Sequence, residues 1–462
     1  MGTRGSARSP DRRKSYRRRA LTGDILVTLL WASGAAAAGL FLASGGAEQF
    51  TTVDEAFTSV GIVAGLVGTD FILVMLVLAA RIPLLDRTIG HDRAIAVHRS
   101  LGKPALYLLL AHAALLIAGY AIHQKIDPVT ETVRLWNTAD FPLAFIGLGL
   151  LLVVVLSSLV AVRRKFSYEA WHLIHLLSYV AVLFAVPHQL SAGGVLSDGS
   201  VERAFWICLY AFAFGAIGFY RFVEPSVSSL RHRLRVSAVE TLAPGVFSLH
   251  LSGQNLHILG AAGGQFFIWR FWTRRTWWHS HPISLSAVPG ASSARITVRN
   301  LGTGSAQLGS LRIGTRVSLE GPYGIFTDAA RTAPRLAVIA AGIGVTPVRA
   351  LLEQSNVAPG EAVIVLRASS SAETYLWPEI ASLAAQKGAT LYTMVGPRPE
   401  SGDSWMTAAD SARGVTLASV FPMLRESDLY LCGPTAWLDL VESDALETGI
   451  PPHQVHAERF DW

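Results

Sequence analysis

The sequence predicts a multidomain membrane protein: an all-α bundle of six transmembrane helices, then a small antiparallel β-barrel, then an α/β domain with a parallel sheet. Three observations lead there. Only 16% of the 462 residues are charged, against about 25% in an ordinary soluble protein, and the mean hydropathy is +0.39. The deficit is uneven, because residues 21–222 are dominated by Leu, Ala, Val, Phe and Gly while 226–462 read as ordinary globular chain. The second half alternates strand-like runs with Gly and Pro, and then turns to an apolar strand, a Gly-rich turn and a helix. The expected divisions are a basic tail over 1–20, the helical membrane domain over 21–225, the barrel over 226–329 and the α/β domain over 330–462.

The chain begins MGTRGSARSPDRRKSYRRRA, with eight Lys/Arg against the single acid Asp11, directly before an apolar run. Basic residues flanking a spanning helix stay on the cytoplasmic side, so this stretch reads as a cytoplasmic flank and not as a nucleic-acid arm; no nucleic-acid partner is expected. A signal-peptide reading of residues 1–47 would leave the later topology unchanged. The two cysteines, Cys208 and Cys432, exclude a cluster held by four thiolates and indicate no disulfide framework.

Apolar segments of spanning length fall near 24–46, 56–80, 96–120, 142–162, 170–190 and 204–222. The connectors alternate in charge. AEQFTTVDE (47–55) has no Lys or Arg, whereas 81–95 carries Arg81, Arg87 and Arg93. The stretch near 121–141 has only Lys125 and Arg134, RRK at 163–165 is dense, 191–203 has only Arg203, and Arg221, Arg231, Arg233 and Arg235 follow the last span. This pattern predicts a multi-pass protein of the plasma membrane with both termini cytoplasmic.

Spans three and five then run in the same direction, and each carries two histidines. His98 and His112 are 14 residues apart, about 21 Å along a helix, and His175 and His188 are 13 apart, about 19.5 Å. Two levels of imidazole on one helix thus face two similar levels on another, the layout that two stacked bis-histidine haems require. Helix-packing or interfacial histidines are the competing reading. Fourteen residues return to within about 40° of the same helix face, but thirteen leave about 140°, so a distortion at Pro187 is expected to turn His188 inward. His172 shares roughly the face of His175 and reads as inner ligand, propionate partner or packing residue.

In the second half, HPISLSA (281–287), RNLGTGSAQL (299–308) and EGPYGIF (320–326) lie in the expected barrel. RLAVIAAGIGVTPVRALLE (335–353) reads as strand, Gly-rich turn and helix, a turn that lets backbone approach a dinucleotide at a helix N-terminus. AVIVLRAS, a helix around 376–386, TLYTMVG and a final strand DLYLCGP complete the parallel sheet.

HPISLSA, GTGS, GPYG, AGIGVTP, LCGP and the terminal HAERFDW occur in the order and spacing of the ferredoxin–NADP reductase superfamily. Behind six spans with paired histidines, the chain from about residue 50 onward resembles the ferric reductase/NADPH oxidase family. The resemblance implies that His281, Pro282, Ser284 and Ser286 line the flavin of FAD, and that Gly302, Gly304 and Ser305 bind its pyrophosphate. It implies that Gly342, Gly344, Thr346 and Pro347 pass under the nicotinamide dinucleotide, with Cys432, Gly433 and Pro434 beside the nicotinamide and Phe460 covering the flavin ring. Arg367 and Arg398 are candidates for the 2′-phosphate of NADPH, since Arg forks match phosphate geometry; as exposed surface charges they would leave NADH possible.

The implied activity is a transmembrane one. Electrons pass from cytoplasmic NAD(P)H to FAD, to an inner haem b on His98 and His175, to an outer haem b on His112 and His188, and then to a small acceptor outside, oxygen or a ferric chelate. Three departures stand out. Ile283 replaces the family's aromatic in HPF[ST], two residues follow Phe460 so that Trp462 competes for the stacking role, and Leu116 stands where NADPH oxidases carry a further histidine. A membrane-anchored flavin reductase with a cytoplasmic acceptor and a transporter with a regulatory nucleotide domain are the other readings.

Overall fold

The computed structural model describes residues 9–163, 165–166, 168–191 and 199–460. Trp462 therefore lies outside the described residues. The chain forms two compact units, one of Thr22–Leu85 with His91–Arg221 and the other of Met1–Leu21, Asp86–Gly90 and Phe222–Trp462.

Among the described residues, six helices are long and apolar enough to cross a membrane: Tyr16–Ala43, Val53–Ala79, Arg93–Gln124, Phe141–Ser158, Ala170–Ser191 and Val201–His232. They match the six expected spans; the first, third and sixth extend beyond the expected segments at one or both ends, and the fourth stops at Ser158, short of the expected 162. The first belongs to a helix that already begins at Ser9, so the basic stretch is helical from there. The second starts at a capping box, with Thr52 accepting from the Glu55 backbone and the Glu55 carboxylate accepting from Thr52 N. The connector after span three holds a short helix, Pro128–Trp136, which hydropathy did not reveal. Asp127 caps it by accepting from Val129 N and Thr130 N, both at 3.0 Å.

Spans two and three pack closely because span two presents glycines there. A Cβ on Gly61 would lie 3.2 Å from Leu115 and Leu116, one on Gly68 3.1 Å from Leu109, and one on Gly65 would collide with the His112 ring at 2.3 Å. Small residues at such spacing let helix backbones approach where no hydrophobic effect drives them together. Some polar groups of the spans bond one another: Ser33 bonds the fully buried Asp70, and Tyr210 donates to Gln189 at 2.8 Å.

The second unit begins with strands β1 (Arg235–Ala243), β2 (Val246–Ser252), β3 (Phe266–Phe271), β4 (His281–Ser284), β5 (Ser293–Arg299) and β6 (Val317–Tyr323). They form two three-stranded antiparallel sheets, β1–β2–β5 and β4–β3–β6, joined by isolated bridges at Arg235–Arg316 and Leu285–Ile296. Alternate residues of both sheets (Phe247, Leu249 and Leu251 against Phe267, Trp269 and Phe271) share one core. The described pairing is thus two linked sheets where the sequence suggested a barrel.

β7 (Arg335–Ala341), β8 (Ala362–Ala368), β9 (Thr390–Val395), β10 (Ser427–Pro434) and β11 (Val455–Phe460) make a parallel sheet in the order β11–β10–β7–β8–β9. β11 is an addition, since DLYLCGP was expected to be the final strand. Both faces are covered, which is why β7, β8 and β10 are almost continuously apolar. One core holds Val345, Val348 and Ile380, the other Trp437, Leu438 and Val441. The order reverses between β7 and β10, so the crevice at their carboxyl ends is the place where such sheets bind ligands.

Asp428 ties this sheet to the preceding loop. Fully buried, it accepts from Thr332 N at 2.7 Å, from Ala333 N, and from His456 Nε2 at 2.8 Å, and the His456 ring stacks on Tyr430. Replacing it by Ala leaves three buried donors without an acceptor, at about 1–3 kcal/mol for each unmet group. The Asp428→Ala protein is expected to unfold several degrees below the wild type in a thermal melt followed by tryptophan fluorescence, with Asp428→Asn, which keeps one acceptor oxygen, in between.

Candidate functional site

Each unit contains its own candidate centre. In the helical unit the structure brings His98 and His175 together, their ring centroids 6.0 Å apart and their planes 57° from parallel. His98 Nδ1 lies 3.1 Å from the Met75 carbonyl, and His112 Nδ1 lies 2.8 Å from that of Gly61. A carbonyl only accepts, so Nδ1 carries the proton in both rings and Nε2 keeps its lone pair. This is the usual support of a metal-binding imidazole: the second nitrogen is held by a backbone oxygen that sets tautomer and ring orientation. His188 is an electrostatic neighbour of His112 and packs against Phe141, ring centroids 6.0 Å apart. The helix Tyr168–Ser191 continues through Pro187.

The residues fit a haem. Two metal–nitrogen bonds of about 2 Å plus two ring half-widths separate facing imidazole centroids by roughly 6 Å. Among the described residues no group of three or more His, Cys, Asp or Glu could hold a bare metal ion. A pair of imidazoles is the protein's share when a macrocycle supplies the other donors. Trp171 stacks on His175 at 5.1 Å. His172, one turn away, has Arg81 and Arg221 as electrostatic neighbours, and Leu116 packs toward Gly61.

In the second unit, β4 pairs with β3 so that Ile283 lies opposite Phe267 and Pro282 opposite Ile268. The Ile283 carbonyl accepts from Trp269 Nε1 at 2.9 Å, so the aromatic rings beside this motif come from β3. His281 Nε2 and Ser284 Oγ are buried without a hydrogen-bond partner, which leaves one donor or acceptor on each for a bound group. Ser286 accepts from Arg295 Nε at 3.2 Å. Gly304 faces the His281 ring, a Cβ there standing 3.5 Å from Cε1. Asn300 holds the turn, its side-chain oxygen accepting from Gly302 N at 3.2 Å, while Ser305 Oγ accepts from Leu301 N at 2.9 Å.

At the β7–β10 crevice, Gly342 has φ +54° and Gly344 approaches β10 so closely that a Cβ would lie 2.2 Å from the Cys432 carbonyl oxygen. Only glycine fits there. Thr346 Oγ1, just inside the following helix, is buried and unpaired; Pro347 is buried beside it. Cys432 is fully buried, which pushes its thiol up. Gly433 backs onto the Trp437 ring, and Pro434 pairs with the half-buried Phe460 at the end of β11. Arg367 is only 3% exposed, contrary to the surface-charge reading, while Arg398 is exposed. Arg367 Nη1 donates to the Ala368 carbonyl, but its Nε and Nη2 are buried without partners. Burial and then Arg398 hold its pKa down. A buried guanidinium with unfilled donors and a second arginine as its electrostatic neighbour suits a phosphate.

Two neighbours of Gly342 escaped the sequence reading. A Cβ on that glycine would lie 3.6 Å from Arg299 Nη1 and 4.0 Å from the Tyr375 hydroxyl. Arg299 pairs with Glu373 at 3.2 Å, and burial pushes the Tyr375 phenol up to about 12. The only signal was an arginine at the end of a strand directly before NLGTGS.

Residues 64–186 match the family described as "Ferric reductase like transmembrane component". The match takes in His98, His112 and His175 and stops two residues short of His188. The other half is 32% identical over 173 residues to ferredoxin–NADP reductase B of Sorangium cellulosum, covering 35% of this chain and 68% of that protein. It is 30% identical over 186 residues to a flavohemoprotein of Vibrio cholerae, covering 38% and 45%. The chain spans about half the length of the flavohemoproteins it matches. A solved flavohem-like FAD/NAD-binding domain of a Vibrio cholerae nitric oxide dioxygenase aligns with 50% of this chain and 99% of its own, at 22% identity and a TM-score of 0.40. Fold and matches together define a multi-pass membrane protein fused to a reductase-type FAD/NAD-binding module. The chain belongs, through its C-terminal half, to the ferredoxin–NADP reductase family, and its residues 64–186 are similar to the ferric reductase transmembrane component.

His281 supplies a pH-dependent test. Burial, then His279 and Arg270, lowers its pKa from 6.5 to about 4. Between those values the unfolded chain takes up a proton that the folded one refuses, so its contribution to stability is complete above pH 6.5 and is lost as pH falls toward 4. The thermal midpoint of the wild type is expected to drop through that window, and His281→Asn to flatten the decline, in melts at half-unit pH steps.

Proposed function

We propose that this chain is a transmembrane oxidoreductase. It takes electrons from cytoplasmic NAD(P)H through FAD and two b-type haems to a small acceptor outside, oxygen or a ferric chelate. The observation that carries the reading is the His98–His175 pair, ring centroids 6.0 Å apart, with His98 Nδ1 bonded to a backbone carbonyl and Nε2 left to ligate. His112, held in the same way by Gly61, and His188 make the second level. The alternation of basic connectors supports cytoplasmic termini in a plasma membrane.

The bound groups would supply the electron chemistry: flavin converts a two-electron donor to single electrons, and bis-histidine iron carries them one at a time. The chain's residues bind and orient. In the inner pair, His98 and His175 hold one iron, and His112 and His188 hold the other. Residues 226–329, whose two sheets wrap one core as a flattened barrel, take FAD, with His281, Pro282, Ser284 and Ser286 lining the ring and Gly302, Gly304 and Ser305 meeting the pyrophosphate. Residues 330–462 take the dinucleotide over Gly342, Gly344, Thr346 and Pro347. Cys432, Gly433 and Pro434 border the nicotinamide, a buried neutral thiol offering a small polarisable wall, and Phe460 covers the flavin. Arg367 and Arg398 grip the 2′-phosphate, which favours NADPH over NADH. Leu116, an aliphatic side chain where a polar one would serve an oxygen site, favours a ferric chelate.

A reduced-minus-oxidised absorption spectrum of the purified protein tests this. Two b-type haems per chain, reducible by NADPH, are expected, and His188→Leu should lose one while retaining the other. Absence of b-type bands would leave a membrane-anchored flavin reductase with a cytoplasmic acceptor, and survival of both haems in His188→Leu would overturn the ligand assignment.

Arg367→Gln should raise KM for NADPH about tenfold or more and leave KM for NADH within twofold, since a charge-assisted hydrogen bond contributes about 1.5–3 kcal/mol. Parallel steady-state assays with the two donors read the difference.

A further inference from the structure

The loop between β3 and β4, WTRRTWWHS (272–280), has no role in the electron path proposed above, and its composition is unusual. It presents three large apolar rings to solvent, Trp272 at 52%, Trp277 at 53% and Trp278 at 48% exposure, with the exposed Arg274 and Arg275 between them. Exposed tryptophans in a loose loop would mean little, but this loop is built. Thr276 is buried, its hydroxyl bonded to the Phe271 carbonyl and to the Thr273 hydroxyl, each at 2.7 Å. Arg270 Nη1 donates to the Trp277 carbonyl at 3.0 Å, and Trp272 Nε1 donates to Ser318. The turn is pinned from within and its rings are turned out.

The surrounding charge is one-sided. From Thr241 to Leu319 the chain has no Asp or Glu and seven arginines: Arg270, Arg274, Arg275, Arg295, Arg299, Arg312 and Arg316. Two of them are engaged by carboxylates of the α/β part, Arg295 by Glu379 and Arg299 by Glu373. Arg274 and Arg275 stand at the tip of the exposed loop. Tryptophan, with an apolar body and one N–H, favours the headgroup level of a bilayer, and arginines near an anionic leaflet are attracted to its phosphates. The covalent link to six spanning helices keeps the module close to a bilayer, so that even weak contact is populated.

We propose that residues 272–280 form a membrane-interface anchor, which sets Trp272, Trp277 and Trp278 among the headgroups of an anionic leaflet and pairs Arg274 and Arg275 with lipid phosphates. The occupant is lipid. A protein surface would have to supply both an apolar bed and an anionic rim, and a cofactor wall would not need three outward rings.

The test uses the full chain in nanodiscs of phosphatidylcholine alone and of phosphatidylcholine with phosphatidylglycerol, each with and without lipids brominated near the headgroup. The fluorescence difference between wild type and Trp277→Phe/Trp278→Phe isolates the two loop rings from the ten other tryptophans. That signal is expected to fall by at least half with brominated lipid in the anionic discs and by less in the neutral ones. In Arg274→Glu/Arg275→Glu discs of the same anionic composition, the quenching should largely disappear. A difference signal unquenched in both lipids would overturn the proposal, as would full quenching in the double-glutamate variant. FAD content is measured on every sample: loss of FAD from Trp277→Phe/Trp278→Phe without a lipid effect would assign the loop to the cofactor and overturn it too.

Discussion

The structure depends on how an imidazole is held inside an apolar bundle. A histidine ring has two nitrogens, and within a membrane each must be met by something. Spans two and three solve half of that problem with backbone. The carbonyls of Gly61 and Met75 take the Nδ1 protons of His112 and His98, and each ring is thereby fixed with its other nitrogen available. For His112 this works only because span two carries no side chain at Gly65, where a single Cβ would occupy the position of the ring. The glycines of span two therefore act through packing. They bring the helix close enough for a main-chain oxygen to fix the tautomer and orientation of an imidazole on its neighbour.

The same economy governs the crevice of the parallel sheet. The strand order reverses between β7 and β10, and the turn after β7 is pressed against the Cys432–Gly433 backbone, with Gly344 at the contact. Any larger residue would push the turn away from the strand and open the crevice by the width of a methyl group. Around it lie polar atoms with nothing to bond, namely Thr346 Oγ1 and the Nε and Nη2 of Arg367. Buried donors left unmet are costly, and these stand just beyond the carboxyl end of β7 and near that of β8.

The parts legible in the sequence were those with a side-chain signature. Six apolar runs gave six long helices within a few residues at most ends, and ionisable histidines stand out in such runs because hydrocarbon excludes them without a reason. The parts missed lack such a signature. The carbonyls of Met75 and Gly61 belong to the backbone and cannot be read from residue type. β11 was missed because HAERF is polar and only half-buried at the sheet edge, and the short helix Pro128–Trp136 because its apolar residues are few, although Asp127-Pro128 is a cap and first-turn proline. The buried state of Arg367 was illegible for another reason. Its strand neighbours are apolar on both sides, and an arginine within such a run reads equally as an edge charge or as a site; the three-dimensional burial decides.

Charge divides the reductase-type module along its length. The stretch from Thr241 to Leu319 has only positive side chains among its acids and bases other than histidine, so any ion pair it forms must reach outside itself. It does so twice toward the α/β part. Arg295 makes a two-pronged bond to Glu379, which Arg349 also engages, and Arg299 meets Glu373 beside the Gly342 turn. Bidentate, partly buried pairs fix orientation more than they add stability. Here they align the strand that leads into NLGTGS with the helix and turn that flank the nucleotide crevice. Two members of an arginine-only stretch thus register the two sheets' core against the parallel sheet, and with no acid of its own the stretch keeps its remaining arginines uncompensated from within.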